Sequence, residues 1–184
     1  MALQMIPASM YRTEEGLGVW EHRGKVAAVG IGHAPTTRRW DDEPQSSVGA
    51  LAIIALRKAM EDAGITPDQV DGLVLPPETT TGSYWPEGKT VPEDFLAAFN
   101  QTDDPLDGIA KLSADWILAN MPELENVKYA MHGTSCMSMA LAGAIQAVGD
   151  GLTHTCLVLK GWHNFPGRYY QGGVAAEPTI SGPA

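Results

Sequence analysis

Cysteines, basic residues and long apolar runs are all scarce in this chain. Its 184 residues contain 2 cysteines, Cys136 and Cys156, which do not form a C-x-x-C pair. This spacing excludes a disulfide scaffold and favours free thiols in a reducing compartment, so we expect a cytoplasmic protein. Residues 1–24 contain several glutamates and no continuous apolar core, and we therefore expect no signal peptide there.

Positive charge is the second shortage. The chain has 12 Lys and Arg residues against 22 Asp and Glu residues, which gives a formal net charge of -10. This balance excludes a nucleic-acid binder that relies on phosphate contacts. Residues 129–149 are uncharged, but they are too rich in small and polar residues for a lipid-facing span. With 44% apolar residues, the chain has enough material for the core of one globular domain.

Strand-like and helix-like segments alternate along the chain. Apolar runs bounded by turn residues predict four strands, at residues 25–31, 70–75, 127–131 and 153–160. Helical spacing predicts three helices between them: one from an N-cap at Ser46 or Ser47 to Gly64, one at 107–121 and one at 136–148. The order βαβαβαβ indicates an α/β fold with a parallel sheet and right-handed crossovers.

Three regions follow from this pattern. Residues 1–24 are an N-terminal extension, residues 25–160 form the α/β domain, and residues 161–184 are a loop segment that begins a pocket or a partner contact. Within the domain, residues 76–106 are a long excursion rich in proline, glycine and acidic residues, with one short helix near Phe95. Long loops of this kind usually cover a binding site or a partner.

The third predicted helix has no continuous polar stripe. Residues 136–148 are mainly methionine, alanine, leucine, isoleucine and valine, and a helix that is apolar all round has to be enclosed on every side. An ordinary three-layer α/β domain leaves one face of each helix in water, whereas a helix packed between two sheets is covered on both sides. We therefore expect this chain to supply part of a larger layered structure.

Cys136 stands at the predicted start of that helix, directly after a strand and a turn. The unpaired N–H groups and the dipole of a helix N-terminus stabilise a thiolate, which makes a cysteine there a candidate nucleophile. A small buried apolar residue is the alternative interpretation of the same position. Cys156 lies in the middle of the fourth predicted strand, and we expect it to be a core residue.

Three runs of residues resemble the thiolase superfamily. Residues 127–140 (VKYAMHGTSCMSMA) resemble its strand, turn and nucleophile-bearing buried helix, and residues 64–71 (GITPDQVD) resemble the turn into its second strand. The first predicted strand with residues 33–39 (HAPTTRR) is similar to the sterol-carrier-protein-x type, including thiolase-like proteins that act with an OB-fold and zinc-ribbon partner. The resemblance implies the N-terminal half of a layered thiolase-like α/β fold, with Cys136 as the catalytic nucleophile on a buried helix.

The resemblance also implies an activity. It is that of an acyl-CoA acyltransferase of the acetyl-CoA acyltransferase type in lipid metabolism, which cleaves or forms a β-ketoacyl-CoA through an acylated Cys136. Coenzyme A is the substrate, and no metal is expected in this chain. Two alternatives stay open: a retro-aldol lyase acting on a CoA-thioester side chain, and a non-catalytic acyl-CoA-binding scaffold.

The same resemblance implies partners. A thiolase has a second half that completes the active site, and nothing after Lys160 resembles it, so that half belongs to a separate chain or to another part of the same one. Homodimerisation of the thiolase unit and an OB-fold and zinc-ribbon partner are further implied. Met137 and Met139 stand where thiolases have glycines, which leaves the acyl substrate open.

Other motifs carry less information. Gly30 and Gly32 follow a predicted strand, but the third glycine of a dinucleotide fingerprint is absent. The five histidines show no metal-ligand spacing. His132 could approach the Cys136 thiolate or could instead satisfy backbone groups of its turn. The tail includes Arg168, which could meet a CoA phosphate.

Overall fold

A small parallel sheet lies at the centre of the fold. The computed structural model describes residues 22, 24–36, 40–76, 85, 88–133 and 137–161. In these residues three parallel strands are arranged in the order β2-β1-β3, where β1 is Gly72–Leu75, β2 is Tyr129–His132 and β3 is Cys156–Val158. The helices described are α1 (Val48–Ala63), α2 (Glu93–Ala98), α3 (Ala114–Asn120) and α4 (Met137–Gly149).

Alternate residues of the strands face two different layers. Leu73, Leu75 and Leu157 pack into the main core, to which α1, α2 and α3 contribute. Val74 and Val158 face the opposite side, where they pack against Ala140 and Ala144 of α4. The period of two along a strand produces this division, because successive side chains point to opposite faces. The described part of the chain is therefore an α/β structure with helices on both faces of the sheet.

Helix α1 has the limits that its sequence predicts. Ser47 is the N-cap, since its side-chain oxygen accepts the N–H of Ala50 at 3.2 Å. Gly64 ends the helix with a left-handed φ of 67° and donates its N–H to Glu61. A left-handed residue after the last turn costs a glycine little because it has no Cβ. Of the two serines that the sequence left open as N-cap, the structure selects Ser47.

The first predicted strand is absent. Residues 25–31 belong to no strand, and the Val29 and Ile31 side chains are exposed. The segment lies instead along α1, where Gly30 and Gly32 contact the helix backbone at Ala55 and Ala59. An apolar, β-branched run becomes a strand only when another strand pairs with it, and none does so among the described residues. The predicted strand at 25–31, and with it the first βαβ unit, is therefore wrong.

The second predicted helix begins later than residue 107. Helix α3 begins at Ala114, with Ser113 as its N-cap. Before it, the Asp107 carboxylate accepts the N–H groups of Gly108 and Ser113, and Gly108 has a φ of 78°. Aspartate competes with helix formation through such local hydrogen bonds, so the chain turns before the helix starts. The residues expected on the apolar face are nevertheless all in the core: Ile109, Leu112, Trp116 and Ile117.

The remaining predicted elements are present: the strands are shorter than predicted, and α4 (Met137–Gly149) lies one residue later than the predicted helix at 136–148. The second, third and fourth predicted strands correspond to β1, β2 and β3, and the short helix expected near Phe95 is α2. No helix in the described ranges is long and apolar enough to cross a bilayer. Residues 1–21 and 162–184, and with them the predicted limits of the extension and of the tail, lie outside the described residues.

The described residues cover helix α4 on one face only. Its buried residues are Ala140, Ala144 and Ala147, which face the sheet. Met139 and Leu141 are 47% and 42% exposed. The prediction that α4 is enclosed on every side therefore requires a cover that the described residues do not supply.

Candidate functional site

The carboxyl ends of the strands and the start of α4 meet at one edge of the sheet. Leu75 and His132 are the last residues of the neighbouring strands β1 and β2, and they are directly paired. Helix α4 begins five residues after His132, at Met137. In parallel α/β sheets, this edge is where ligands usually bind. It is the candidate site, and it is the place where the sequence predicts the nucleophile.

Cys136 itself lies outside the described residues, together with Thr134 and Ser135. Both flanks of this short segment are described. Gly133 donates its N–H to Leu75 at 2.6 Å, and a Cβ atom on Gly133 would lie 3.0 Å from the backbone of Ala140. The turn thus starts in close contact with α4, which favours glycine. The strand and the helix predicted on either side of Cys136 are present as β2 and α4, while its role as nucleophile stays a prediction.

His132 is held by backbone groups on two other segments. Its Nε2 accepts the N–H of Ala114 at 3.3 Å, and its Nδ1 lies 3.0 Å from the carbonyl oxygen of Pro76. These two contacts connect the end of β2 with the residue after β1 and with the first residue of α3. The backbone contacts that the sequence allows for His132 are therefore present, while its approach to the Cys136 thiolate stays a prediction because Cys136 lies outside the described residues.

Cys156 occupies the opposite edge of the sheet. It is the first residue of β3 and pairs with Gly72. Burial, together with the negative charge of Asp71, raises the pKa of Cys156 to about 12. The thiol is therefore protonated at neutral pH and is a poor nucleophile. Its partly buried position among apolar side chains agrees with the expected packing role.

A hydrogen-bonded aspartate at this opposite edge was missed in the sequence. The Asp71 carboxylate accepts the Thr153 hydroxyl and the N–H groups of His154 and Thr155, and it pairs with the His154 ring at 2.9 Å. Burial would raise the pKa of Asp71, but these hydrogen bonds outweigh it and hold the pKa well below its usual value. Asp71 directly precedes β1, and Thr155 directly precedes β3. The sequence shows both positions, but it predicts their contact only once the pairing of the two strands is known.

A lysine enclosed by aromatic rings was also missed. The Lys89 Nζ lies 4.9 Å from the centre of the Trp40 ring and 5.5 Å from that of Trp85. It also forms an ion pair with Asp42. Cation–π contacts of this kind stabilise a chain segment. They attach the middle of the long excursion, at Trp85 and Lys89, to the segment before α1.

The remaining candidates do not gather at the site. Gly30 and Gly32 allow close packing on α1, which explains these glycines without a bound nucleotide. Among the described residues, no group of three His, Cys, Asp or Glu side chains could hold a metal ion. Arg168 lies outside the described residues, so its predicted contact with a CoA phosphate stays a prediction.

Comparison with solved structures adds information on the fold. The chain is similar to the Ltp2-ChsH2(DUF35) aldolase, with 20% sequence identity and a TM-score of 0.51. It shares its fold with part of an aldolase. The similarity covers 79% of this chain and 29% of the aldolase chain, so this chain spans less than a third of the length of that one. No protein-family model and no curated protein matches the sequence.

Proposed function

We propose that this chain forms part of a thiolase-like lyase, which breaks a carbon–carbon bond next to a CoA thioester by retro-aldol cleavage. The observation that carries the proposal is the fold similarity to an aldolase over 79% of the chain. This similarity favours the aldolase alternative over the acyltransferase that the motifs first suggest. The thiolase-like layering and the CoA thioester come from the resemblance of residues 127–140 and 64–71.

The proposed reaction needs a general base and hydrogen-bond donors. A base removes the proton of the β-hydroxyl group, the bond between C2 and C3 breaks, and its electron pair stays on C2 as a thioester enolate. The enolate then takes a proton at C2, and the other product is a ketone or an aldehyde. Hydrogen-bond donors near the thioester oxygen stabilise the enolate. The edge formed by β1, β2 and the start of α4 is the place in this chain where such a thioester would lie.

The other groups of the site would come from a second part of the enzyme. The exposed side chains of Met139 and Leu141 on α4 support this part of the proposal, because a large apolar surface on a helix is normally covered. We propose that the cover is the other thiolase-like half, in a separate chain or in another part of the same one. A homodimer of the complete unit and an OB-fold and zinc-ribbon partner belong to the same proposal.

Acyl transfer through Cys136 is the second candidate function. Cys136 directly precedes Met137, where α4 begins. The 13 residues of α4 provide a dipole and unpaired N–H groups that would favour a thiolate at this position. In this alternative the thiolate attacks the 3-keto carbon and the bond between C2 and C3 breaks. The released enolate takes a proton and leaves as acetyl-CoA or another short acyl-CoA, and the thiolate sulfur then gives the acyl group to a second CoA.

Trapping experiments separate the two functions. The chain is co-produced with the polypeptide encoded beside it and is incubated with a β-hydroxyacyl-CoA or a β-ketoacyl-CoA. The lyase predicts a carbonyl product and a shorter acyl-CoA from the hydroxy substrate, no acyl group on Cys136, and activity retained in Cys136→Ala. A covalent acyl-Cys136 and loss of activity in Cys136→Ala would instead support acyl transfer. Binding of acyl-CoA without any turnover would support the scaffold.

A further inference from the structure

We propose that Lys160 is a catalytic residue: its ammonium group donates a hydrogen bond to the thioester oxygen of the substrate and stabilises the enolate that forms there. The inference rests on the proposed function, because the enolate is the intermediate of that reaction and also of the acyl-transfer alternative. Its structural basis is the position of Lys160 two residues after the end of β3, at the same edge of the sheet as the candidate site.

The strand pattern places the Lys160 side chain on the face of the sheet that packs against α4. Leu157 and Leu159 are buried in the main core on the other face, whereas Val158 packs on the α4 side. Successive side chains of an extended segment point to opposite faces, so Lys160 follows Val158. Lys160 is exposed, and a substrate can therefore approach it.

The backbone around Lys160 is fixed by its two neighbours. Leu159 donates its N–H to Val74 of β1 at 3.0 Å. A Cβ on Gly161 would lie 2.9 Å from the side chain of Leu112, which is buried in the main core. Both contacts hold the chain close to the sheet, so the base of the Lys160 side chain has a defined position. Groups that are already in place stabilise a developing charge without a cost of reorganisation.

Lys160 is one strand away from the place proposed for the thioester. Strand β1 lies between β2 and β3, and its last residue, Leu75, pairs with His132 of β2. Neighbouring strands are about 4.8 Å apart, and the four-carbon stem of a lysine is long enough to cross that distance. The ammonium group is therefore within reach of the carboxyl end of β1.

Positive charge is scarce at this edge of the sheet. Of the three strands described, only β3 is followed within two residues by a charged side chain. The chain as a whole has a net charge of -10, which opposes the formation of another negative charge. A lysine next to the thioester oxygen offsets this unfavourable field where the enolate forms.

Lys160 keeps its proton during the proposed step. When the bond between C2 and C3 breaks, its electron pair moves onto the thioester group, and C2 and the thioester oxygen share the negative charge. The ammonium group holds this oxygen through a hydrogen bond until C2 takes a proton, and the neutral thioester then leaves. Because this interaction is stronger with the enolate than with the substrate, its loss lowers kcat more than it raises KM.

Substitution of Lys160 tests its contribution in the co-produced complex. Lys160→Met removes the charge and the donors but keeps a long side chain, and we expect it to lower kcat about 100- to 1000-fold with a nearly unchanged KM. Lys160→Arg keeps a charged donor and should lie between this variant and the wild type. Lys128→Met is the matched control, because Lys128 is an exposed lysine directly before β2, at the opposite edge of the sheet. It should leave kcat unchanged.

A shortened substrate separates this role from binding of a CoA phosphate. The N-acetylcysteamine thioester has the same reacting group as the CoA thioester but contains no phosphate. We expect Lys160→Met to lower kcat by the same factor with both substrates. A higher KM for the CoA thioester alone, with kcat unchanged, would show that Lys160 binds a phosphate and would overturn the proposal.

Lysine labelling tests the position of Lys160 without turnover. The probe is a ketone analogue of the shorter acyl thioester product, in which a methylene group replaces the sulfur and the carbonyl oxygen is kept. Binding of this ketone should slow the reaction of Lys160 with acetic anhydride and leave that of Lys128 unchanged. Peptide mass spectrometry of the labelled complex measures both rates in one sample.

The proposal and the proposed function fail in different ways. If the complex is active and Lys160→Met leaves kcat unchanged, the role of Lys160 is wrong and the proposed function stands. If the complex has neither lyase nor acyl-transfer activity, the proposed function fails, and the labelling decides the role of Lys160. Protection by the ketone then supports contact with the carbonyl oxygen, and equal labelling with and without the ketone rules this contact out.

Discussion

Asp71 and Cys156, two side chains with strongly shifted pKa values, lie close together where strands β1 and β3 begin. The hydrogen bonds to Asp71 connect the residue before β1 with the three residues before β3. The negative charge that they stabilise also helps to keep the Cys156 thiol protonated. We therefore expect this edge of the sheet to contribute to stability, whereas the proposed reaction is placed at the opposite edge.

We expect Asp71→Asn to lower the free energy of unfolding by about 1–3 kcal/mol at pH 7, because the amide removes the charge and places a donor against the N–H groups of His154 and Thr155. The pKa of Asp71 in the folded protein is below its usual value of 3.8. Its stabilising effect is therefore complete above that pH and is lost as the pH falls below it. Denaturant unfolding at several pH values should show the wild type and the variant converging in acid.

The control for this prediction is Asp68→Asn. The Asp68 side chain is exposed on the turn before β1, and the change removes the same charge. We expect an effect within about 0.5 kcal/mol, as for most surface substitutions. An equal loss of stability in both variants would show that net charge, and not the hydrogen bonds of Asp71, is responsible.

The two cysteines should differ in reactivity. Cys156 should react slowly with iodoacetamide at neutral pH because its pKa is raised to about 12. If Cys136 is activated at the start of α4, it should react at least about 10-fold faster. Peptide mass spectrometry of the folded complex measures both rates in one sample, and Cys156→Ser confirms the assignment. Equal rates would argue against an activated Cys136.

Helix α1 packs closely against the loop before α3 because Gly49, in the first turn of α1, has no side chain. Gly49 donates its N–H to Gly108 at 2.8 Å. A Cβ on Gly49 would lie 2.5 Å from the Cζ3 atom of Trp116, whose ring is fully buried. Such a ring cannot move without disturbing the core, and the contact requires glycine despite its low helix propensity.

We expect Gly49→Ala to destabilise the protein by about 1–3 kcal/mol through overpacking, even though alanine is the better helix former. Gly143→Ala on α4 is the matched control. A Cβ there would meet only the end of the flexible Met131 side chain. This second variant should be neutral or stabilising by up to about 1 kcal/mol. Thermal unfolding of the two variants measures the difference, and a stable Gly49→Ala protein would contradict the tight contact.

For the molecule as a whole, we expect the exposed apolar surface of α4, which includes Met139 and Leu141, to control the solubility and self-association of the chain when it is produced alone. At about 25 cal/mol per Å² of apolar surface, a few hundred Å² left uncovered amounts to several kcal/mol, which is comparable to the stability of a domain. We expect the chain alone to bind a hydrophobic dye and to self-associate. Co-production with the proposed second thiolase-like half should remove both effects.

Substitution of the surface tests its contribution. Met139→Lys combined with Leu141→Lys should reduce dye fluorescence and self-association of the chain alone and should prevent its assembly with the other half. Leu96→Lys on α2 is the control, since Leu96 has a similar exposure of 40%, and it should change neither property. Sedimentation velocity measures the association. A monodisperse wild-type chain that unfolds cooperatively would contradict the two-sheet placement of α4.

The sequence alone determined the features that depend on neighbouring residues. The limits of α1 follow from the N-cap Ser47 and from Gly64, both of which act within one helical turn. The three strands of the sheet, the short helix α2 and the start of α4 after residue 136 were also predictable. Each depends on local apolar spacing and on turn residues at its ends.

Features that join distant segments of the chain depend on the tertiary structure. The strand propensity of residues 25–31 was not sufficient, because a strand needs a partner and this segment lies on α1 instead. The ring of His132 contacts Pro76 and Ala114, which are 56 and 18 residues away. The low pKa of Asp71 depends on residues more than 80 positions later. Hydrogen bonds and strand pairs between residues this far apart in the sequence form only when the whole chain folds. Local sequence patterns therefore do not predict them.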